Sequence, residues 1–154
     1  MANTYTQLYI QLVFAVRGRH SLIRQDHKDQ LYKYITGIIQ NKGNKLIAIN
    51  GMPDHIHIFV GYKPSIALPE LVKIIKTSST DFTKSKKWYG GKFRWQDGYG
   101  AFSYSRSHVS RVAKYIENQE SHHKKVSFKE EYIAMLRKFE IEFNEKYLFE
   151  WIDY

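Results

Sequence analysis

Two histidines, a tyrosine and a glutamine are the residues of this chain whose types and spacing could do chemistry together. His55 and His57 stand two apart, alternating with Ile56 and Ile58, so on a strand both imidazoles leave one face while the isoleucines enter a core on the other. Two imidazoles can converge on one ion and leave positions open for water and phosphate oxygens, which a Lewis acid needs in order to polarise a phosphodiester. Alone, a His-x-His pair is a weak signal, because histidine also serves as an ordinary hydrogen-bonding side chain. The second element is Tyr115 with Gln119, an i,i+4 pair on a helix expected over residues 108 to 121, whose phenol and amide oxygens project side by side. They share a flank with His108, Arg111 and His122, beside an apolar stripe of Val109, Val112, Ala113 and Ile116. A tyrosine hydroxyl can attack phosphorus and conserve the broken bond as a phosphotyrosine, and an amide carbonyl can complete a His, His, Gln ligand set. With 12 tyrosines in the chain, residue type by itself does not mark Tyr115.

The elements that must position these groups can be read from periodicity. Residues 5 to 16 alternate, with Leu8, Ile10, Leu12, Phe14 and Val16 on one face and Gln7, Tyr9, Gln11 and Val13 on the other, which predicts a half-buried strand. From Gln25 to Asn41 the spacing of Leu31, Ile35, Ile38 and Ile39 predicts a helix, stopped by Gly43 and Asn44. Leu46 to Ile49, the turn residues Asn50, Gly51, Pro53 and Asp54, and the alternating segment from His55 to Val60 predict a hairpin. A second helix starts near Pro69 and runs towards Phe82 with a strongly basic far end, and a loop from Trp88 to Gly100 leads to a strand near Tyr99 to Arg106. Helices over 108 to 121 and about 127 to 145 precede an aromatic tail with Tyr147, Phe149, Trp151 and Tyr154. The fold class is α+β: a βαββαβ order, the ferredoxin-like or RRM-like antiparallel sheet, with additional C-terminal helices carrying the tyrosine. Many functions use that fold, so function has to be argued from the site.

Composition narrows the chemistry. The chain of 154 residues, 43% hydrophobic and 16% aromatic, suits one domain over 1–154 with a real core. Zero cysteines exclude a disulfide framework and thiolate metal sites, so a metal must be held by nitrogen and oxygen. No apolar run approaches a membrane span and no signal peptide is evident, which predicts a cytoplasmic protein with no membrane partner. The formal net charge is +9, and residues 73 to 125 hold twelve Lys or Arg against four acids, whereas residues 126 to 154 hold four against seven. A basic middle beside an acidic tail points to a polyanion, nucleic acid being the usual case, against the bland reading of a soluble basic surface.

The segment Pro53-Asp54-His55-Ile56-His57-Ile58-Phe59-Val60 resembles the HUH motif, and Tyr115-Ile116-Glu117-Asn118-Gln119 resembles the Tyr-x-x-x-Gln helix of the single-tyrosine transposases of the insertion-sequence 200/605 family. The stretch from Phe93 to Ser103 and the tail Tyr147-Leu148-Phe149-Glu150-Trp151 are similar to such proteins as well, so the likeness covers nearly the whole chain. The resemblance implies a bacterial homodimer whose catalytic helix swaps, so that Tyr115 of one subunit faces the histidines of the other. It further implies recognition of stem-loops at element ends and cleavage of single-stranded DNA to a 5′-phosphotyrosine and a free 3′-hydroxyl. In that scheme Tyr115 is the nucleophile, and His55, His57 and Gln119 bind Mg²⁺ or Mn²⁺. Imidazoles usually favour softer divalent ions than Mg²⁺, which turns the expectation towards Mn²⁺ or another transition metal.

Lys84, Lys86, Lys87, Lys92 and Arg94 are candidates for the stem-loop surface through phosphate neutralisation, with a solvated helix end as the plain alternative; Arg17 and Arg19 are weaker candidates. Trp88, Tyr89, Trp95 and Tyr99 could stack on unpaired bases, though core or dimer packing accounts for most such aromatics. His122 and His123 could assist as acid or base, but adjacent histidines at a helix end are more often solvated. Two other readings stand beside the transposase: a non-catalytic single-stranded nucleic-acid-binding module on the same sheet, and a domesticated relative that cleaves genomic palindromes.

Overall fold

The computed structural model describes residues 2–154. Four antiparallel strands, β1 (Leu8–Ala15), β2 (Lys45–Met52), β3 (His55–Tyr62) and β4 (Gly100–Tyr104), form one sheet in the order β2-β3-β1-β4. Helix α1 (Gln25–Asn41) joins β1 to β2 and α2 (Leu68–Ser85) joins β3 to β4, which is the expected βαββαβ order. Both pack on one sheet face, where Leu31, Ile35, Ile39, Leu71 and Ile75 are fully buried with Leu12, Phe14, Ile56 and Ile58. Pro69 sits in the first turn of α2, where its missing N–H costs no hydrogen bond. Among the described residues no helix is long and apolar enough to cross a membrane.

The opposite face departs from the half-buried strand that alternation predicts. Val13 and Gln11 of β1 are both fully buried, as are His55, His57 and Phe59 of β3. Cross-strand pairing puts Val13 opposite His57 and Ala15 opposite His55, so these side chains share one face. Three further helices cover it: α3 (Val109–Glu117), α4 (Gln119–His123) and α5 (Phe128–Lys138). The stripe of Val112 and Ile116 on α3 packs against Tyr9, Ala48 and Phe59. This second layer turns an outward-looking polar face into the floor of a buried site.

Other boundaries also differ from expectation. The helix over 108 to 121 is broken at Asn118 (φ −96°, ψ 24°), where α3 ends and α4 begins. Asn50 of β2 donates to the Glu117 carbonyl at 3.0 Å, tying the break to the sheet beside the histidines. The last helix stops at Lys138 rather than near 145, and Glu140 follows in a left-handed conformation (φ 55°). At its start the Ser127 hydroxyl accepts from the Glu130 N–H, an N-cap that fixes where α5 begins, and donates to the Glu130 carboxylate. The tail then returns along the molecule: Phe149 and Trp151 pack on Phe128, and the Tyr154 hydroxyl donates to Asp54 at 3.1 Å.

Candidate metal centre and tyrosine

The tight hairpin between β2 and β3 sets the position of His55. A methyl group on Gly51 would lie 2.2 Å from the His55 carbonyl oxygen and 2.9 Å from the Ile56 Cα, so only glycine lets the strands approach here. The His55 ring stacks on Phe128 with centroids 3.8 Å apart and an interplanar angle of 4°. Its Nδ1–H donates to Asp54 Oδ1 at 2.7 Å, which leaves Nε2 facing inward. His57 Nδ1 meets the Gln11 amide at 2.8 Å, and Gln11 Oε1 accepts from the Tyr104 hydroxyl. With the amide nitrogen on Nδ1 the His57 proton sits on Nε2, 3.0 Å from Glu131 Oε1; the opposite amide orientation, with the Tyr104 hydroxyl accepting, would put the proton on Nδ1 and bare Nε2 for an ion.

The break at Asn118 does not separate Tyr115 from Gln119. Gln119 is fully buried, and its Oε1 lies 3.1 Å from His55 Nε2 and 3.0 Å from His123 Nε2. Its amide nitrogen donates to Glu131 Oε2 at 3.1 Å, which keeps the oxygen aimed at the imidazoles. The Tyr115 hydroxyl donates to the same Glu131 Oε2 and lies 3.2 Å from His122 Nε2. Its ring stands edge-on to His57, centroids 6.0 Å apart. His55, His57, Tyr115 and Gln119, spread over 65 positions of sequence, thus meet within a single chain.

Three participants were not marked by sequence pattern. Glu131 is buried on the inner stripe of α5, among Phe128, Tyr132 and Met135, and an acid at an apolar-stripe position is the signal that could have found it. Asp54 directly precedes His55 in the sequence and could have been suspected from that adjacency, whereas Gln11 could have been suspected only from strand register. His123, expected to be solvated, turns inward with a side chain 6% exposed, and its Nδ1–H donates to the Val126 carbonyl at 2.7 Å. His122 is more open, at 29%.

The donor set fits a divalent cation. The Nδ1 protons of His55 and His123 are committed to Asp54 and Val126, so each neutral ring presents a bare Nε2. Those lone pairs face Gln119 Oε1, and they face Glu131 Oε1 at 3.4 Å and 3.1 Å. Lone pairs opposed at such distances need extra protons or a cation between them. One ligand atom from each of His55, His57, His123 and Glu131 lies within 4.8 Å of the others, which is compact enough for one ion. Without an ion the charges adjust. Burial opposes ionisation of His55, but its bonds to Asp54 and Glu131 outweigh this and raise its pKa to about 9. Burial holds the His57 pKa below its usual value, despite the neighbouring Glu131 carboxylate. Burial would raise the Glu131 pKa, yet the surrounding imidazoles hold it well below the usual carboxylate range. Burial and the Glu131 charge push the Tyr115 phenol strongly up, so it rests protonated.

Tyr115 opens on a cavity of about 590 Å³ whose walls include Arg111, His108 and Lys138. The candidate DNA-binding side chains fall elsewhere on the surface, and all are exposed. Arg17 and Arg94 are joined through a backbone hydrogen bond of 2.8 Å, with Arg19 and Lys92 nearby, linked through contacts to the tail and to His20. Lys84, Lys86 and Lys87 cluster at the end of α2. Trp95 packs into the core against Phe14 and Phe93 and is not free for bases, whereas Trp88 is half-buried with one face stacked on His27.

Comparison with known proteins identifies the family. Residues 4–119 match the family described as "Transposase IS200 like". The chain is 30% identical over 120 residues to the ISDra2 transposase TnpA of Deinococcus radiodurans, covering 73% of this chain and 84% of that protein. A transposase crystal structure from Deinococcus radiodurans superposes with a TM-score of 0.60 at 27% identity, covering 77% of this chain and 95% of that one. A REP-associated tyrosine transposase bound to a REP hairpin shares the fold, with a TM-score of 0.58 at 16% identity over 82% of this chain and 74% of that one. With its fold, its paired histidines and a family match across most of its length, the chain belongs to the IS200-like transposases.

Proposed function

We propose that this transposase binds stem-loops at element ends and cleaves and rejoins single-stranded DNA by transesterification, with Tyr115 as nucleophile and His55, His57 and Gln119 as ligands of Mn²⁺ or Mg²⁺. The observation that carries the reading is the meeting of the Tyr115 hydroxyl, the Gln119 amide oxygen and two oriented imidazoles in one buried cluster. The bound ion would withdraw charge from the scissile phosphate. Arg111 and Lys138 draw the phosphate backbone to the mouth of the cavity, and Glu131 and His122 hold the phenol at its inner end. As the Tyr115 phenol passes its proton to an adjacent acceptor, Glu131 Oε2 or His122 Nε2, its oxygen forms an O–P bond and the P–O3′ bond breaks. The products are a 5′-phosphotyrosine and, once the leaving oxygen takes a proton, a 3′-hydroxyl. Attack of a 3′-hydroxyl on the phosphotyrosine reverses the exchange, so rejoining needs no external energy source.

The reading takes 1–154 as a single HUH transposase domain acting in the bacterial cytoplasm. It includes a homodimer with shared active sites, in which α3 and α4 of one subunit would make in the other the contacts they make within one chain here. The test is incubation with Mn²⁺ and a single-stranded, hairpin-bearing element end, followed by a search for a covalent adduct. Tyr115→Phe should abolish the adduct, and an undiminished adduct would remove Tyr115 from the mechanism. A non-catalytic binder would retain all of its activity in chelator. A domesticated palindrome-cleaving relative would lack subterminal palindromes in the DNA flanking its gene.

A further inference from the structure

Glu131 carries most of the polar contacts of the cluster, and it lies outside the residues matched by the family, 4–119. Its side chain is 2% exposed. A buried carboxylate is strongly destabilising unless its charge and all of its lone pairs are matched. The two oxygens divide their partners cleanly. Oε1 lies 3.0 Å from His57 Nε2, 3.1 Å from His123 Nε2 and 3.4 Å from His55 Nε2. Oε2 accepts from the Tyr115 hydroxyl and from the Gln119 amide at 3.1 Å. Three imidazole nitrogens crowd an oxygen that has two lone pairs, and two of those rings have already committed their Nδ1 protons elsewhere. A divalent cation held by these groups would resolve the crowding, because each nitrogen, His57 Nε2 once deprotonated, and Oε1 would present a lone pair to the same positive centre.

We infer that Glu131 links ion and nucleophile: Oε1 joins the imidazoles of His55, His57 and His123 as a metal ligand, while Oε2 holds the Tyr115 hydroxyl. This deepens the proposed transposition chemistry and rests on it for the role of Tyr115. Beside the Gln119 oxygen of the proposed site, three imidazoles and a carboxylate would favour transition ions such as Mn²⁺ over Mg²⁺, since nitrogen ligands favour the former. It also ties the phenol to a group that would hold the ion, through one buried side chain on a capped helix.

The test reads metal binding and tyrosine placement separately from DNA cleavage. Mn²⁺ affinity is measured by electron paramagnetic resonance on DNA-free wild type, Glu131→Gln and Tyr115→Phe. Tyr115 is followed in wild type and Glu131→Gln by the ¹³Cζ resonance of labelled tyrosine, assigned by its loss in Tyr115→Phe. Glu131→Gln should lower Mn²⁺ affinity by about tenfold or more and shift the Tyr115 resonance, while Tyr115→Phe keeps the affinity near wild type. Unchanged affinity in Glu131→Gln, or no Mn²⁺ binding by wild type, overturns the inference. Should Glu131→Gln fail to fold, anomalous scattering from Mn²⁺-soaked wild-type crystals decides, and an ion not coordinated by Glu131 refutes the link. Loss of Mn²⁺ affinity in Glu131→Gln with no DNA adduct in wild type supports the carboxylate as ligand while refuting the transposition chemistry. A wild-type adduct with affinity untouched by Glu131→Gln does the reverse.

Discussion

At the scale of single residues, the histidines are set by what holds their outer nitrogens. Asp54 fixes His55 and Gln11 fixes His57, so the inner nitrogens point at one place before any ion arrives. Asp54→Ala should weaken Mn²⁺ binding by about 10- to 100-fold, measured by calorimetry, with the fold retained by circular dichroism. The same contact has a pH signature in the metal-free protein. Because the His55 pKa is raised from 6.5 to about 9, its contribution to stability is fully present below pH 6.5 and is lost as pH rises through 9. His57, whose pKa is lowered, contributes in the opposite sense and loses its contribution as pH falls. Comparing melting temperatures between pH 6.5 and 9 should show a decline in metal-free wild type that Asp54→Ala flattens; equal slopes would detach His55 from Asp54.

At the scale of elements, the site is a sheet floor beneath a helical cover, and either can be disturbed alone. Gly51→Ala pushes a methyl group into the backbone of β3 at His55. A close approach of this kind costs about 1 to 3 kcal/mol when neighbours must shift. Chemical denaturation should show that loss, together with weaker Mn²⁺ binding, because the strand that moves carries both histidines. Phe128, 6% exposed at the start of α5, stacks on His55 and touches Phe149 and Trp151. Phe128→Ala should cost about 3 to 5 kcal/mol through the cavity it leaves, and a loss under 1 kcal/mol would mean that the tail does not anchor α5.

At the scale of the whole molecule, the net charge of +9 lies mainly on exposed side chains away from the buried cluster. Binding of a hairpin stem should therefore be steeply salt dependent. Replacing Lys84, Lys86 and Lys87 together by alanine should reduce the slope of log affinity against log salt by about 0.9 per lost phosphate contact. Fluorescence anisotropy over a salt series would measure it. An unchanged slope would make the α2 terminus a solvated helix end and leave Arg17, Arg19, Lys92 and Arg94 as the basic surface to examine.

The sequence by itself determined the order of elements, the common face of His55 and His57, and the adjacency of Tyr115 and Gln119, because strand and helix periodicities are local properties of the chain. Its reading of β1 as half-buried failed because the cover on the second face comes from helices a hundred residues later, which alternation cannot register. The kink at Asn118 depends on a bond from Asn50, and the inward turn of His123 on packing against α5, so neither has a local signature. Glu131 shows the division best. In sequence it is one of seven acids in an acidic tail, and only tertiary structure brings it under three imidazoles, where burial gives a common surface carboxylate its reach.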